Sequence, residues 1–269
     1  MKKLWINMML LIVATSVRAT IIASDDFSGG TPGNVIDNVA VQSGTGVWTT
    51  NYTATAGGVW QLQYAAGGYA IPGVGSTTGG NAALSNSALA GVTGTLKVSA
   101  EFSARNDKAD GGSWAIGLYE TLSKAYLQNE TADDFAGFRF ITSGANEGKL
   151  VWRIYDEGVA QNTTFAGNVV SFGATDVVRL SLSYNFINGT VLAEAYNVTQ
   201  DSLINSATTT LTTLSGFQYA GIGFSTFTVD GTDPTRVTNF QVESIPEPAT
   251  IGMLGLGALA AMMMRRICY

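Results

Sequence analysis

Histidine is absent from this 269-residue sequence, cysteine occurs once, at Cys268, and proline only five times. Without imidazole the chain has no Ser-His-Asp or Cys-His nucleophile system, and no imidazole ligand for zinc or copper. A single cysteine forms no intrachain disulfide, so any domain here stands on its core alone. Charged residues are also scarce, at 13%. No glycine-rich phosphate loop is present: Gly221-Ile222-Gly223 lies inside a strand pattern and no helix follows it. Glycoside hydrolysis needs only two carboxylates. The acid pairs Asp25-Asp26, Asp133-Asp134 and Asp156-Glu157 are adjacent in sequence, however, and in strands adjacent side chains point to opposite faces. A non-enzymatic protein is the expectation.

Long apolar runs occur only at the two ends. Lys2 and Lys3 precede Leu4 to Ala14, interrupted by Asn7 alone, and Val17-Arg18-Ala19 offers small residues at signal-peptidase spacing. This reads as a secretory signal peptide over residues 1–19, cut after Ala19, with Ala23 as the alternative site and an uncleaved anchor as the other reading. At the far end, Pro246-Glu247-Pro248 is followed by the uncharged run Ala249 to Met264 and then Arg265-Arg266. As a helix, 249–264 would rise about 24 Å, short of a hydrocarbon core of roughly 30 Å but able to insert with local thinning. Arginines after the run suit a cytoplasmic stop. The competing reading is a buried C-terminal helix, which an apolar surface all round fits poorly.

Between the ends, residues 20–248 hold nine of the 14 Lys and Arg and all 20 acids, a net charge of −11. Such a surface opposes nucleic acid and anionic lipid and tolerates cations, calcium among them. Helical periodicity is nearly absent, and alternation recurs instead. Leu96, Val98, Ala100 and Phe102 alternate with Lys97, Ser99, Glu101 and Ser103; Val178, Leu180, Leu182 and Tyr184 alternate with Arg179, Ser181 and Ser183. Further strands are expected over 113–120, 135–142, 149–155, 190–196, 219–227 and 237–243. Asn188-Gly189 marks a tight hairpin of type I′. The Gly-, Thr- and Ser-rich segment 29–94 is read as long loops. The expected fold is therefore all-β: a two-sheet antiparallel jelly-roll sandwich over 20–244, flanked by the signal peptide and a C-terminal hydrophobic helix.

Two resemblances follow from these residues. The tail PEPATIGMLGLGALAAMMMRR, residues 246–266, resembles the PEP-CTERM sorting signal of exosortase substrates, with Pro246, Glu247 and Pro248 as the motif and Arg265 and Arg266 as its stop. That implies export from a Gram-negative-type bacterium, a transient membrane anchor, and release to the cell surface or beyond by an exosortase. The opening Ala23 to Phe27, the hairpin Val177 to Asn197 and the closing Arg236 to Ser244 resemble a concanavalin-like or laminin-G-like lectin domain. That implies pairing of the first and last strands, and exopolysaccharide as a possible partner. Glucanases of this fold carry Glu-x-Asp-x-(x)-Glu along one strand, a pattern missing here.

Candidate site residues are few. Asp25 and Asp26 beside Asn239 are weak candidates for calcium ligands, with Asp133, Asp134, Asp230 and Asp233 as equal donors. Trp114, Trp152, Tyr119, Tyr126 and Tyr155 are rings of the right kind to stack on sugars, but Trp114 and Trp152 alternate in phase with apolar neighbours and read as core. Trp48 and Trp60, among Gly, Thr and Gln, are the surface candidates for sugar stacking. Sequons at Asn51, Asn129, Asn162, Asn188 and Asn197 are what chance gives in a Thr- and Asn-rich chain.

Overall fold

A computed structural model describes residues 19–49, 61–72, 79–105, 112–120, 135–156, 159–211, 216–225 and 235–246. The strands, in chain order, are β1 (Thr20–Asp25), β2 (Val39–Ala40), β3 (Ser43–Gly44), β4 (Val47–Thr49), β5 (Leu62–Ala65) and β6 (Tyr69–Pro72). Then come β7 (Gly79–Ser85), β8 (Thr95–Ser103), β9 (Ser113–Tyr119), β10 (Phe135–Ile141), β11 (Leu150–Asp156) and β12 (Val159–Asn162). The last six are β13 (Phe165–Ala166), β14 (Val178–Asn185), β15 (Thr190–Asn197), β16 (Ser202–Thr210), β17 (Tyr219–Ser225) and β18 (Arg236–Ile245).

They form two antiparallel sheets. The first runs β16-β15-β14-β8-β18-β1-β3, with the β5–β6 hairpin joined to β18; the second runs β12-β11-β10-β9-β17-β7-β4-β2, with β13 on β11. This is the expected all-β sandwich. Among the described residues no helix is long and apolar enough to cross a membrane. The proposed signal peptide up to Arg18 and the apolar run 249–264 lie outside the described residues.

Alternation builds the core. Leu96, Val98, Ala100 and Phe102 of β8 face inward with Val178, Leu180 and Leu182 of β14, all at most 1% exposed. From the second sheet Trp114, Ile116 and Leu118 of β9, and Phe138 and Phe140 of β10, meet them with no exposed surface. Each such side chain contributes roughly 1.5–3 kcal/mol by leaving water. Phe102 stacks on Trp114 at 5.5 Å, and Trp114 on Phe140 at 5.6 Å, so a row of rings crosses the interface. The Trp114 indole N–H, which needs an acceptor once buried, donates to the Thr235 hydroxyl at 3.1 Å, and that hydroxyl donates to the Ser103 carbonyl at 3.0 Å.

Two local expectations are corrected. The hairpin between β14 and β15 spans residues 186–189, and Gly189 alone there has positive φ, at 68°. It is therefore not a two-residue type I′ turn. Asn185 organises it, its side-chain oxygen accepting from the N–H groups of Ile187 and Asn188. A Cβ on Gly189 would stand 1.7 Å from the Leu211 carbonyl oxygen, which requires glycine there. Segment 29–94, read as loops, supplies β2 to β7 in its described parts. Those strands are mostly two to four residues long, too short to show a period.

The sheets are clamped at their first strand. Asp25 is 4% exposed; one carboxylate oxygen accepts the Phe27 amide N–H at 2.7 Å and the other the Trp48 indole N–H at 2.7 Å. Trp48 itself is fully buried between Phe27, at 5.6 Å, and Phe240, at 4.7 Å. Burial raises the Asp25 pKa above its ordinary value of 3.8, against the lowering effect of the Trp48 and Phe27 hydrogen bonds. A carboxyl whose folded pKa is raised contributes stability that is complete below the unfolded pKa and is lost as pH rises through the folded one. Asp25→Asn presents one oxygen to two N–H donors and is expected to cost about 1–3 kcal/mol. That cost should be complete below pH 3.8 and shrink as pH rises through the folded pKa, seen as converging urea midpoints for the variant and the parent.

Candidate functional site

The outer face of the first sheet carries the polar half of the same alternation. Register aligns it in rows: Arg179 of β14 lies opposite Glu101 of β8; Ser24, Gln241, Ser99, Ser181 and Glu194 form a second row across β1, β18, β8, β14 and β15; Glu243 and Lys97 form a third. Opposite-charge pairs directly across a ladder favour that register. Over them lies a groove of about 550 Å³, lined by polar side chains of β1, β8, β14 and β18.

Two charged units floor the groove. In one, the Arg179 guanidinium donates through Nε and Nη2 to Glu101 Oε1 at 3.0 and 2.5 Å, and Asn239 Nδ2 donates to Glu101 Oε2 at 2.6 Å. In the other, Lys97 stands 4.0 Å from Glu243, whose carboxylate also accepts from Gln241 Nε2 at 3.0 Å. Asn239 reaches Glu101 because β18 is irregular there. The register slips between Thr238 and Gln241, and Asn239 takes φ 49°, a conformation that asparagine tolerates better than most residues. The bulge also restores phase: Phe240 and Val242 point into the core, and Gln241 and Glu243 into the groove.

Asp25, Asp26 and Asn239 all line this groove, but not as one ligand set. Asp25 spends both oxygens on Trp48 and Phe27. Asp26 accepts the Ser28 amide at 2.8 Å, and the Ser28 side-chain hydrogen bond, followed by that amide, lowers its pKa. Asn239 turns its amide to Glu101. The three are thus engaged with separate partners, and among the described residues no cluster of three His, Cys, Asp or Glu is placed to hold a metal. Asp133, Asp134, Asp230 and Asp233 lie outside the described residues.

The aromatic expectations divide. Trp48 is corrected from surface ring to core: its Gly- and Thr-rich neighbours signalled exposure, but Asp25, far away in sequence, supplies the buried acceptor that lets the indole go in. Trp60 and Tyr126 lie outside the described residues. Trp114 and Trp152 are core, at 0% and 3% exposed. Tyr119 and Tyr155 pack with Phe135 and Ala115 in a second cluster, on the outer side of the second sheet. The Phe135 ring lies over Gly117 and Gly137, where an added Cβ would meet it at 2.4 and 2.5 Å. Near by, Arg139 is held by the Ser113 hydroxyl at 2.8 and 3.0 Å, and burial, with the like charge of Arg153, lowers its pKa to about 10.

Sequence reasoning read Lys97, Glu101 and Arg179 as the polar side of alternating strands and singled out neither Gln241 nor Glu243. The available signal was the pairing of opposite charges at matching positions of alternating strands, which needs the register to be read. Ala19 and Pro246 lie at the same end of the antiparallel β1–β18 pair, where Thr20 is opposite Ser244. Glu247, Pro248, Arg265 and Arg266 lie outside the described residues.

Residues 244–266 match the PEP-CTERM protein-sorting motif. No curated protein matches the chain. Among solved structures, the CBM2 module of the Lactobacillus casei BL23 phage J-1 evolved Dit is similar, at 13% identity and TM-score 0.50, over 86% of this chain and 98% of that one. The Emp46p carbohydrate recognition domain in its potassium-bound form is similar at 10% identity and TM-score 0.50, over 78% of this chain and 96% of that one. At these identities the likeness concerns the fold alone. This chain thus carries a PEP-CTERM sorting motif at the end of a two-sheet β-sandwich similar in fold to those two domains.

Proposed function

We propose that this is a non-enzymatic protein of the bacterial envelope or extracellular matrix, cut by an exosortase near Pro246-Glu247-Pro248, whose sandwich binds surface polysaccharide. The motif at 244–266 carries the sorting half of this reading. For the binding half, support comes from the groove. Its carboxylates, amides and guanidinium are fixed to one another through sheet register, and hydroxyl-rich ligands exchange hydrogen bonds with such an array at little ordering cost. The carbohydrate recognition named for Emp46p is in keeping with it. An enzyme is disfavoured because Glu101 and Glu243 are each tied to a cation and an amide, leaving neither set apart as a proton donor.

Mass spectrometry of the surface-exposed protein should find neither residues 1–19 nor the run 249–264. An intact C-terminus on released material would refute the processing. On a polysaccharide array, the processed protein should bind at least one polymer, and the Glu101→Gln, Arg179→Gln double variant should lose about tenfold or more in affinity with its fold intact by circular dichroism. Calcium and a chelator form a second arm, since one similar domain is a metal-bound form. Unchanged binding by the double variant would place the site elsewhere, and absence of binding to every polymer would leave a structural role alone.

A further inference from the structure

The two ends of the first sheet differ in charge. Register gathers Asp25, Asp26, Asp176, Asp201 and Arg236 at one end, where β1 and β8 stop and β14 and β18 begin. The opposite end holds the connection 86–94, the hairpin 186–189, and Thr210 and Leu211 where β16 stops. None of these residues is Asp, Glu, Lys or Arg, although residues 20–248 carry a net charge of −11. Among the described residues, the charges Glu120 and Asp156 at that end belong to the second sheet.

The chain leaves the sheet by this uncharged end. Ile245 of β18 lies opposite Thr95, and Thr95 opposite Asn185, in one row across the three strands. Only Pro246, Glu247 and Pro248 separate Ile245 from the apolar run that begins at Ala249. With that run in a bilayer, four steps of extended chain hold Ile245 within about 14 Å of the hydrocarbon. Roughly half of that distance is headgroup layer, so the sandwich has no room to stand clear. The hairpin 186–189 starts beyond the row of Ile245 and reaches lipid first. At its tip Ile187 is 65% exposed. A lone exposed isoleucine is ordinary. This one is held out by a braced turn: Asn185 accepts from the amides of Ile187 and Asn188 at 2.9 and 3.0 Å and donates to the Thr95 hydroxyl at 3.2 Å. The Leu211 amide donates to the Gly189 carbonyl at 2.8 Å, and Phe186 packs on Tyr184 at 4.9 Å.

We propose that, while the tail is inserted, the domain rests the uncharged end of its first sheet on the lipid surface, with Ile187 sunk among the headgroups. This rests on the sorting reading above, with 249–264 as the anchor, and adds the face that meets the membrane. An apolar side chain gains by entering the interface, while the Ser, Thr and Asn around it keep polar partners there. The same pose turns Asp25, Asp26, Asp176 and Asp201 away from any anionic lipid, which would repel them. It also confines Pro246-Glu247-Pro248 to the strip between sheet and bilayer.

The test uses the full chain, made in a host without exosortase and reconstituted in vesicles of phosphatidylethanolamine and phosphatidylglycerol. Flotation with the vesicles reports the anchor. In a Cys268→Ser background, a fluorophore is attached at Thr93→Cys, beside the hairpin, or at Thr175→Cys, at the charged end; both positions are exposed. Lipid spin-labelled at the headgroup should quench the label at 93 about threefold or more above the label at 175, and adding Ile187→Glu should remove most of that difference. Ile187→Glu should leave flotation and the thermal midpoint unchanged, since the side chain it replaces is exposed. Equal quenching at 93 and 175 in floating protein, or quenching at 93 that Ile187→Glu leaves intact, would overturn the docking face and spare the anchor. A chain that does not float would overturn the anchor and the docking with it.

Discussion

The last strand of the domain is an interior one, and most of the structure hangs on that placement. β18 lies between β8 and β1 and also meets β6 at Val237 and Ala70. Its inward residues Phe240 and Val242 fill the core, Phe240 by closing over Trp48. Its outward residues Asn239, Gln241 and Glu243 supply a quarter of the groove lining. Its end passes straight into the sorting motif, whose first two residues, Ser244 and Ile245, are still in the ladder. Core, groove and tail are consecutive or alternate residues of one ten-residue strand.

The energies on the two faces of the first sheet differ in kind. Inward, Leu96, Val98, Phe102, Leu180 and Leu182 each exchange water for a packed core, at roughly 1.5–3 kcal/mol apiece. Outward, the Arg179 and Glu101 pair has side chains 47% and 11% exposed, where an ion pair contributes roughly 0–1 kcal/mol. The fold therefore depends little on the polar face, which is free to be shaped by recognition. The Asp25 clamp is the exception, being polar and buried, and there the two N–H donors offset part of the cost of burying a carboxylate.

How much of this was legible in the sequence depends on how local the cause was. The strands of β8, β9, β10, β11, β14, β15, β17 and β18 announced themselves because one face is apolar and the period is two. β16 did not, because Ser, Asn and Thr on both faces of an edge strand leave no alternation to read. Trp48 was misplaced because its acceptor lies in another strand of another sheet. The groove was illegible for a related reason. Lys97, Glu101, Arg179 and Glu243 are ordinary solvent-facing residues until register puts 179 against 101 and 97 against 243. A linear sorting motif suffers none of this, since its meaning lies in consecutive residues.

Placing the motif at the end of an interior strand also ties sorting to folding. Ser244 is paired on both sides, with Leu96 and with Thr20, and Ile245 with Thr95, so the chain is locked in the sheet up to one residue before Pro246. Prolines cannot donate to a ladder, and Pro246 is where pairing stops. A processing enzyme that draws its substrate into a cleft as extended chain would find nothing to grip before Pro246 unless β18 left the sheet. Removing β18 would strip Phe240 and Val242 from the core and expose Trp48. The folded sandwich thus protects its own C-terminal strand and confines any cut to the residues beyond it, while Thr20, opposite Ser244, brings the start of the domain to the same corner.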